Sequence, residues 1–310
     1  MRFADRVIGA VRAKQSHAVV GLDPVMAKLP PFLLEEADWL HGRTPAGAAH
    51  ALQRFSRLVI DAVAGRVAVV KPQSAFYEIF GAAGLAAFWD AVSYAQSKGL
   101  LVIADAKRGD IGTTAAAYAD AFFGGGGEWQ TGVPAADSLT INPYLGTDGL
   151  KPFLRDGRGV FVLVKTSNPS SGEFQDQSLG GEGSLAGAVA RLVDELGQGS
   201  IGESGYSDVG AVVGATYPVE AERYRQLMPR ALFLVPGYGA QGGTAADVVP
   251  CFNPDGLGAL VSASRSVIYA FASAGATDEV GFKLATAEAA DRMNEDLNGA
   301  LRAAGKLAWA

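Results

Sequence analysis

The sequence predicts an α/β protein built as one closed (β/α)8 barrel, the TIM-barrel architecture. Eight apolar runs of strand length recur along the chain, and most are separated by a longer segment in which apolar residues repeat with helical spacing. Most runs are unbroken rather than alternating, which is typical of parallel strands covered on both faces. The 310 residues exceed the roughly 250 that are typical of such a barrel, so we expect a single domain over residues 1–310 with long connections.

The predicted elements follow from where these patterns fall. The strands cover residues 18–22, 67–70, 100–104, 138–141, 160–164, 209–213, 232–235 and 259–261. The helical repeat is clear in three sets of residues, namely Leu52, Phe55, Leu58, Val59 and Ala62, then Leu185, Val189, Leu192 and Leu196, and finally Met293, Leu297 and Leu301. The extra length falls in residues 23–66 and 166–184, and long loops are more often functional than idle.

The composition excludes several classes of protein. Hydrophobic side chains make up 49% of the chain and charged ones 19%, which excludes a disordered protein. No apolar run approaches the roughly 18 residues of a membrane span, and the N-terminus lacks the apolar stretch of a secretory signal. A net charge of −6 gives no basic surface for nucleic acid. We therefore expect a cytoplasmic protein that binds neither nucleic acid nor a membrane.

Cysteine and histidine are scarce, which narrows the candidate chemistry. The single cysteine, Cys251, cannot form an intrachain disulfide or a multi-cysteine zinc site. The three histidines, His17, His41 and His50, do not lie beside any cluster of reactive side chains. We therefore expect catalysis to depend on other groups.

Three consecutive predicted strands end in charged side chains. The first leads to Asp23, the second to Lys71, and the third to Asp105, Lys107 and Asp110. The carboxyl ends of the strands carry the active site in such a barrel, and side chains two residues apart on a strand point to the same face. Flanking carboxylates keep a lysine protonated, and the lysine lowers the pKa of the carboxylates. Such an array suits a reaction that expels an anion and protonates a developing carbanion.

Each of these residues, taken alone, is equally well explained as an ordinary polar residue where a strand reaches the surface. The arrangement as a whole is harder to explain in that way, because three neighbouring strands deliver charges of alternating sign to one rim of the barrel.

Two loops late in the chain predict a phosphate site. The seventh strand leads into the glycine-rich residues 236–243, and the eighth leads into residues 262–266, which include Arg265. These two loops recurrently bind phosphate in such barrels, through backbone N–H groups and a helix N-terminus, and an arginine adds a bidentate charge. Gly237, Gly239 and Gly242 also match a dinucleotide fingerprint, but only one predicted strand follows them. The structural alternative is a glycine-rich turn without a ligand.

Six segments in order resemble the orotidine 5′-phosphate decarboxylase family, specifically its longer bacterial, mycobacterial-like (type 2) subgroup. They are VVGLDP at 19–24, VKPQ at 70–73, DAKRGDIG at 105–112, KTSNP at 165–169, PGYGAQGG at 236–243 and SRS at 264–266. The Asp-x-Lys-x-x-Asp spacing alone is shared with related sugar-phosphate decarboxylases and aldolases, whereas all six segments together are specific. Ser264 stands where many members have glycine, and residues 166–184 form a longer loop than in short members.

The resemblance implies decarboxylation of orotidine 5′-monophosphate to UMP, the last step of de novo UMP synthesis, without a metal or an organic cofactor. It implies that Lys107 donates the proton to C6 of the pyrimidine and that Asp105 lies against the departing carboxylate. Asp110 would complete the array from the neighbouring subunit of a homodimer, with Thr114 at the same partner site.

The resemblance also implies the residues that bind the substrate. Asp23 and Lys71 would bind the ribose hydroxyls, and Lys71 would also join the charge network. Ser167 would face the pyrimidine, and Gln241 and Arg265 would face the phosphate.

Two alternatives compete with this interpretation. Another member of the same barrel superfamily, such as a keto-gulonate-phosphate decarboxylase or a hexulose-phosphate synthase, would need a divalent metal and more acidic ligands. Glu78 follows Lys71, but no second carboxylate cluster accompanies it. A nucleotide-binding protein without catalytic activity would keep the phosphate site, and the intact Asp105, Lys107 and Asp110 argue against it.

Overall fold

The computed structural model describes residues 1–180, 183–239 and 242–309. At its centre, eight parallel strands follow one another in chain order around a closed barrel, in which the first strand also pairs with the eighth. The strands are β1 (Ala18–Leu22), β2 (Val69–Pro72), β3 (Leu101–Arg108), β4 (Ser138–Ile141), β5 (Gly159–Lys165), β6 (Ser207–Val213), β7 (Ala231–Val235) and β8 (Ala259–Ala263). The predicted (β/α)8 barrel is confirmed.

Helices surround the barrel and fill its connections. Those described are α1 (Phe3–Lys14), α2 (Pro31–His41), α3 (Pro45–Val63), α4 (Ala75–Glu78), α5 (Gly81–Ser97), α6 (Gly112–Phe123), α7 (Thr147–Leu150), α8 (Gly172–Gln175), α9 (Leu185–Gly197), α10 (Pro218–Leu227), α11 (Ala245–Val248), α12 (Arg265–Ile268), α13 (Ala270–Ser273) and α14 (Glu279–Ala303). The long connection after β1 holds the additional helix α2 before α3. None of the described helices is both long enough and apolar enough to cross a membrane.

Four predicted strands continue past the carboxyl ends of their apolar runs. β1 and β4 coincide with the predictions, whereas β2 extends to Pro72, β3 to Arg108, β5 to Lys165 and β8 to Ala263. Periodicity ends a strand where the apolar residues stop, but pairing with the neighbouring strands carries these four further, toward the mouth of the barrel. The extensions place charged side chains on strands rather than on loops.

The three predicted helical segments are helices, but the buried face of α9 differs from the predicted one. In α3, the predicted apolar residues are all buried against the barrel, and each such large side chain stabilises the fold by about 1.5–3 kcal/mol. In α9, the buried residues are instead Val193 and the small residues Ala186, Gly187, Ala190 and Gly197, while the four predicted residues are half-buried. Gly197 packs directly against Ser207 and Val209 of β6, so small residues let this helix approach the sheet closely.

The amino-terminal helix α1 closes one end of the barrel. Its residues Phe3, Val7 and Val11 are buried and belong to the same apolar cluster as Ile103 and Phe161 of the strands. The Phe3 ring meets the Phe161 ring edge-on, with 6.2 Å between centroids. Because this helix covers the end where the strands begin, the open mouth lies at their carboxyl ends.

Candidate active site

A cavity of about 580 Å³ opens at the carboxyl ends of the strands. It contains six of the nine predicted site residues, which are Asp23, Lys71, Asp105, Lys107, Ser167 and Arg265. The other residues that line it are Gln73, Thr140, Leu163, Thr166, Asn168, Gln175, Val212, Leu234, Pro236, Gly237, Tyr238, Ser262, Ala263 and Ser264. The barrel therefore brings together residues from both ends of the sequence, as predicted.

One buried carboxylate, Asp105, organises the floor of this cavity. Lys71 Nζ lies 2.6 Å from Asp105 Oδ2, and Lys107 Nζ lies 2.6 Å from Asp105 Oδ1. The hydroxyl of Thr140 on β4 also donates to Oδ1, at 2.9 Å. Two ammonium groups and a hydroxyl thus satisfy a carboxylate that would be costly to bury alone.

The pKa shifts follow from these contacts. Burial alone would raise the pKa of Asp105, but the charges of Lys71 and Lys107 outweigh it and hold that pKa well below its usual range. Burial alone would lower the pKa of Lys71, but Asp105 and then Asp23 outweigh it, so this pKa is raised. Both side chains are therefore charged at neutral pH.

Lys107 adopts an unusual backbone conformation. Its φ is +47°, in the left-handed region that is unfavourable for side chains other than glycine. The pairing between β3 and β4 is irregular between Ala104 and Arg108. The side chain of Lys107 is 46% exposed, so its ammonium group stands at the boundary between the buried Asp105 and the open cavity.

Asp23 follows β1 and lies beside Lys71 across the β1–β2 pair, in which Gly21 is opposite Lys71. Its Oδ1 is buried and has no hydrogen-bonding partner among the described residues. The Tyr269 hydroxyl donates to the Asp23 carbonyl oxygen and accepts from the Val25 N–H, each at 2.8 Å. The loop backbone is therefore fixed at the point where Asp23 reaches the cavity.

The residues predicted to bind phosphate follow β7 and β8, and β8 pairs with β1. Pro236 and Gly237 follow β7, and Arg265 begins the short helix after β8. Gly237 and Gly239 have φ of +102° and +72°, which explains why glycine is needed there. Tyr238 anchors the same loop to α14, because its hydroxyl donates to Asp296 at 2.6 Å. Gln241 lies outside the described residues.

Ser264, the departure from the family pattern, packs against β1. A side chain added at Gly21 would collide with the Ser264 hydroxyl. The serine thus occupies space above a glycine of the neighbouring strand.

The loop after β5 is held closed at its base. Lys165, at the end of β5, has a side chain that is 1% exposed, and its Nζ lies 2.5 Å from Asp176 Oδ1. The Thr166 N–H donates to Gln175 Oε1 at 2.9 Å, and Gln175 Nε2 donates to Thr166 Oγ1 at 2.8 Å. These adjacent contacts tie residues 175–176 to the strand end and present Ser167 to the cavity.

Asp110 and Thr114 are not brought into the cavity of this chain. Asp110 Oδ1 accepts the Ile111 N–H at 2.8 Å, and Thr114 is exposed on the first turn of α6. Sequence reasoning assigned both residues to a neighbouring subunit, and their placement leaves that assignment a prediction.

Several residues that line the cavity were missed from the sequence. Thr140 lies inside an apolar run, where it looked like an ordinary strand residue. Gln73 and Asn168 belong to the family motifs, which was the only signal available for them, and Tyr238 belongs to the glycine-rich loop. The other acidic candidate, Glu78, forms an ion pair with Arg108. In residues 1–180, 183–239 and 242–309, no group of three or more His, Cys, Asp or Glu side chains is arranged to hold a metal ion.

Comparison with known proteins agrees with this geometry. Residues 19–277 match the family described as "Orotidine 5′-phosphate decarboxylase / HUMPS family". A Rhodopirellula baltica protein named orotidine 5′-phosphate decarboxylase is 43% identical over 306 residues, covering 96% of this chain and 100% of its own. A Deinococcus radiodurans protein of the same name is 46% identical over 303 residues, covering 96% and 98%. The solved structure of Leishmania donovani OMP decarboxylase has a TM-score of 0.74 and 32% identity, and covers 97% of this chain and 98% of its own. The chain therefore belongs to the orotidine 5′-phosphate decarboxylase family.

Proposed function

We propose that this chain decarboxylates orotidine 5′-monophosphate to UMP and CO2, the last step of de novo UMP synthesis, and that Lys107 protonates C6 of the pyrimidine. The observation that carries the proposal is the Lys107 ammonium group, fixed 2.6 Å from a buried carboxylate at the edge of a cavity. Family membership supports the same substrate.

The chemistry follows from where charge develops. When the bond between C6 and the carboxylate breaks, its electron pair stays on C6, and CO2 departs. The ring delocalises this carbanion poorly, so the barrier is high unless a positive charge already stands beside C6. An ammonium group held by Asp105 supplies that charge without reorganisation. Lys107 then transfers a proton to C6, and its partly exposed side chain regains one from solvent.

Asp105 has a second role in the proposal. Its carboxylate would lie against the carboxylate of the substrate, so that repulsion between the two is relieved as CO2 leaves. The two lysines keep Asp105 ionised, which supports this role. Lys71 would hold the carboxylate in place and reach the ribose.

The remaining residues would bind the rest of the substrate. Asp23 and Ser167 both line the cavity. Asp23 would accept from a ribose hydroxyl, and Ser167 would contact the pyrimidine. Gln241 and Arg265 would bind the phosphate. Phosphate binding far from C6 can stabilise the closed loops and so assist the reaction at the pyrimidine.

We further propose a homodimer in which Asp110 and Thr114 of one subunit complete the site of the other. Asp110 is half-buried and Thr114 is exposed, and neither lines the cavity of its own chain, which supports this arrangement. Exposed apolar side chains occur in α6, just before it and in the loop after β4, namely Ile111, Tyr118, Tyr144 and Leu145, and apolar surface of this kind marks protein–protein contacts.

The test is to follow the loss of orotidine 5′-monophosphate absorbance and the appearance of UMP in a buffer that contains a metal chelator. The unchanged protein should convert the substrate, and Lys107→Ala should lower turnover by at least about 10³-fold while the protein stays folded. Lys283→Ala, which changes a lysine paired with Glu279 on α14, is the matched control.

Near-normal decarboxylation by Lys107→Ala would refute the assignment of the proton donor. No conversion of orotidine 5′-monophosphate, together with a chelator-sensitive activity on a sugar phosphate, would instead favour a metal-dependent enzyme of the same barrel type. Binding of UMP without any turnover would favour a nucleotide-binding protein.

A further inference from the structure

We propose that Thr140 is a positioning residue of this site, whose hydroxyl links the backbone of Lys107 to the carboxylate of Asp105 and thereby fixes the Lys107 ammonium group. The inference rests on the proposed decarboxylase function and deepens it. Thr140 lies in the middle of β4, is 1% exposed, and lines the cavity.

Thr140 stands opposite an irregularity in the barrel. Between two regular pairs, β3 has the three residues 105–107 where β4 has Thr140 alone. The regular pairs on either side are Ala104 with Leu139 and Arg108 with Ile141. A bulge of this kind interrupts the ladder of backbone hydrogen bonds and redirects side chains, often beside an active site. At this point a side-chain hydroxyl connects the two strands.

The direction of both hydrogen bonds is fixed by the partners. The Lys107 N–H lies 3.0 Å from Thr140 Oγ1, and an amide can only donate. Asp105 Oδ1 lies 2.9 Å from the same hydroxyl, and an ionised carboxylate can only accept. The hydroxyl therefore accepts from Lys107 and donates to Asp105, which leaves it one orientation.

These contacts form a closed ring. Asp105 Oδ1 binds the Lys107 ammonium directly at 2.6 Å and binds the Lys107 backbone through Thr140. The backbone N–H and the side-chain ammonium group of Lys107 are thus both positioned by the same carboxylate oxygen, Asp105 Oδ1. The left-handed backbone of Lys107 is unfavourable in itself and persists only where its surroundings hold it, and the bond from its N–H to Thr140 is one of the contacts that do so.

Loss of the hydroxyl should therefore affect the reaction more than the binding of substrate. Valine has nearly the shape of threonine, so Thr140→Val keeps the packing but leaves the Lys107 N–H and one site on Asp105 Oδ1 without their partner. The ammonium group would then occupy a wider range of positions. Stabilisation of a developing charge depends on groups that are already in place, so turnover falls.

The experiment compares Thr140→Val with Thr140→Ser, which keeps the hydroxyl, in the full-length protein. We expect Thr140→Val to lower kcat about 10- to 100-fold. The KM for orotidine 5′-monophosphate and the inhibition constant of UMP should change less than about threefold, because the predicted phosphate and ribose contacts are intact. Thr140→Ser should keep kcat within about threefold of the unchanged protein.

Three results would overturn the proposal. They are a kcat for Thr140→Val within about twofold of the unchanged protein, an equal loss in Thr140→Ser, or a loss confined to KM. If Thr140→Val does not fold, Thr140→Ala removes the same hydroxyl and is judged by the same criteria. Inactivity of the unchanged protein would refute the proposed function instead, so the two failures are distinguishable.

Discussion

At the scale of single residues, two buried charges, on Asp105 and Arg225, are each surrounded by several partners. Asp105 is bound by two ammonium groups and a hydroxyl. Arg225, also buried, donates to four backbone carbonyl oxygens, including those of Cys251 and Gly258, and stacks on Phe233 with 3.6 Å from its guanidinium carbon to the ring centroid. The first arrangement lies at the cavity and the second lies away from it, so burial of a charge does not by itself identify a catalytic group.

The burial of His17 predicts that the stability of the folded protein depends on pH, independently of catalysis. Its ring lies between Phe252 and Trp309, with 4.8 Å between centroids in each case. Burial lowers its pKa from 6.5 to about 4. Below pH 6.5 the unfolded chain binds a proton that folded His17 does not, so stability is full above about pH 6.5 and falls until about pH 4. The loss should be roughly 3 kcal/mol.

The measurement is the free energy of unfolding between pH 7.5 and 4.5 for the unchanged protein and for His17→Phe, which cannot titrate. As the pH falls, the free energy of unfolding should decrease more for the unchanged protein than for His17→Phe. All other titrating groups are present in both proteins, so their contributions cancel in the difference. His17→Gln, also unable to titrate, should show the same slope even if it is less stable at every pH. A difference that does not depend on pH would show that His17 is not buried in its neutral form.

At the scale of elements, the described part of the loop that follows β5 is tied to the barrel by a buried lysine. Lys165 is surrounded by Asp176 at 2.5 Å, by Glu220 at 3.8 Å and by the Tyr217 ring at 4.5 Å from its centroid. Burial alone would lower the pKa of Lys165, but Asp176 and Glu220 outweigh it and raise it. This lysine therefore links the loop after β5 to the start of α10.

Lys165 and Asp176, the closer ion pair, should respond unequally to substitution. The Lys165 side chain is 1% exposed and the Asp176 side chain is 46% exposed. Removal of Asp176 leaves a buried ammonium group without its nearest partner, whereas removal of Lys165 leaves a carboxylate that water can reach. We expect Asp176→Asn to lower the free energy of unfolding by about 3 kcal/mol and Lys165→Met by about 1 kcal/mol, measured by urea denaturation.

The double variant is the control for this asymmetry. Lys165→Met combined with Asp176→Asn should be more stable than Asp176→Asn alone, because no buried charge is left without a partner. Equal losses in the two single variants, or additive losses in the double variant, would contradict the account.

Much of this architecture could be predicted because it depends on local patterns. Unbroken apolar runs located all eight strands, and the charges that follow them located Asp23, Lys71, Asp105 and Lys107 at one rim. The part that could not be predicted depends on contacts between distant segments. Thr140 acquires its proposed positioning role from a bulge in β3, which periodicity does not encode. The buried face of α9 is set by how closely small residues approach β6, whereas a search for large apolar residues selects the neighbouring face.

At the scale of the whole molecule, the two ends of the barrel differ in structure and in proposed role. One end is closed by α1 and its apolar contacts, and the other carries the cavity and nearly every residue proposed to act on substrate. Asp110 and Thr114 are the exceptions, since the chain that carries them keeps them outside its own cavity. In the proposed homodimer, a second copy would bring them to its site.

Mixing two inactive variants tests this sharing. Lys107→Ala and Asp110→Ala should each show little activity alone. A mixed dimer contains one site with both defects and one site with neither, so random exchange of subunits should restore about a quarter of the normal activity. Decarboxylation after mixing is the measurement, and labelled subunits establish that exchange has occurred. Persistent inactivity after proven exchange would mean that each site is complete within one chain.

The pairing of β1 with β8 also has a consequence for how the protein is made. Ala18, Val19 and Val20 pair with Val261, Ser262 and Ala263, so the first strand cannot complete its pairing until the last strand has been made. Until the ribosome has released β8, the nascent sheet has two open edges, and such edges invite association with other chains. Asp23 and Arg265 meet only when this seam closes, so the cavity is among the last features of the molecule to come into existence.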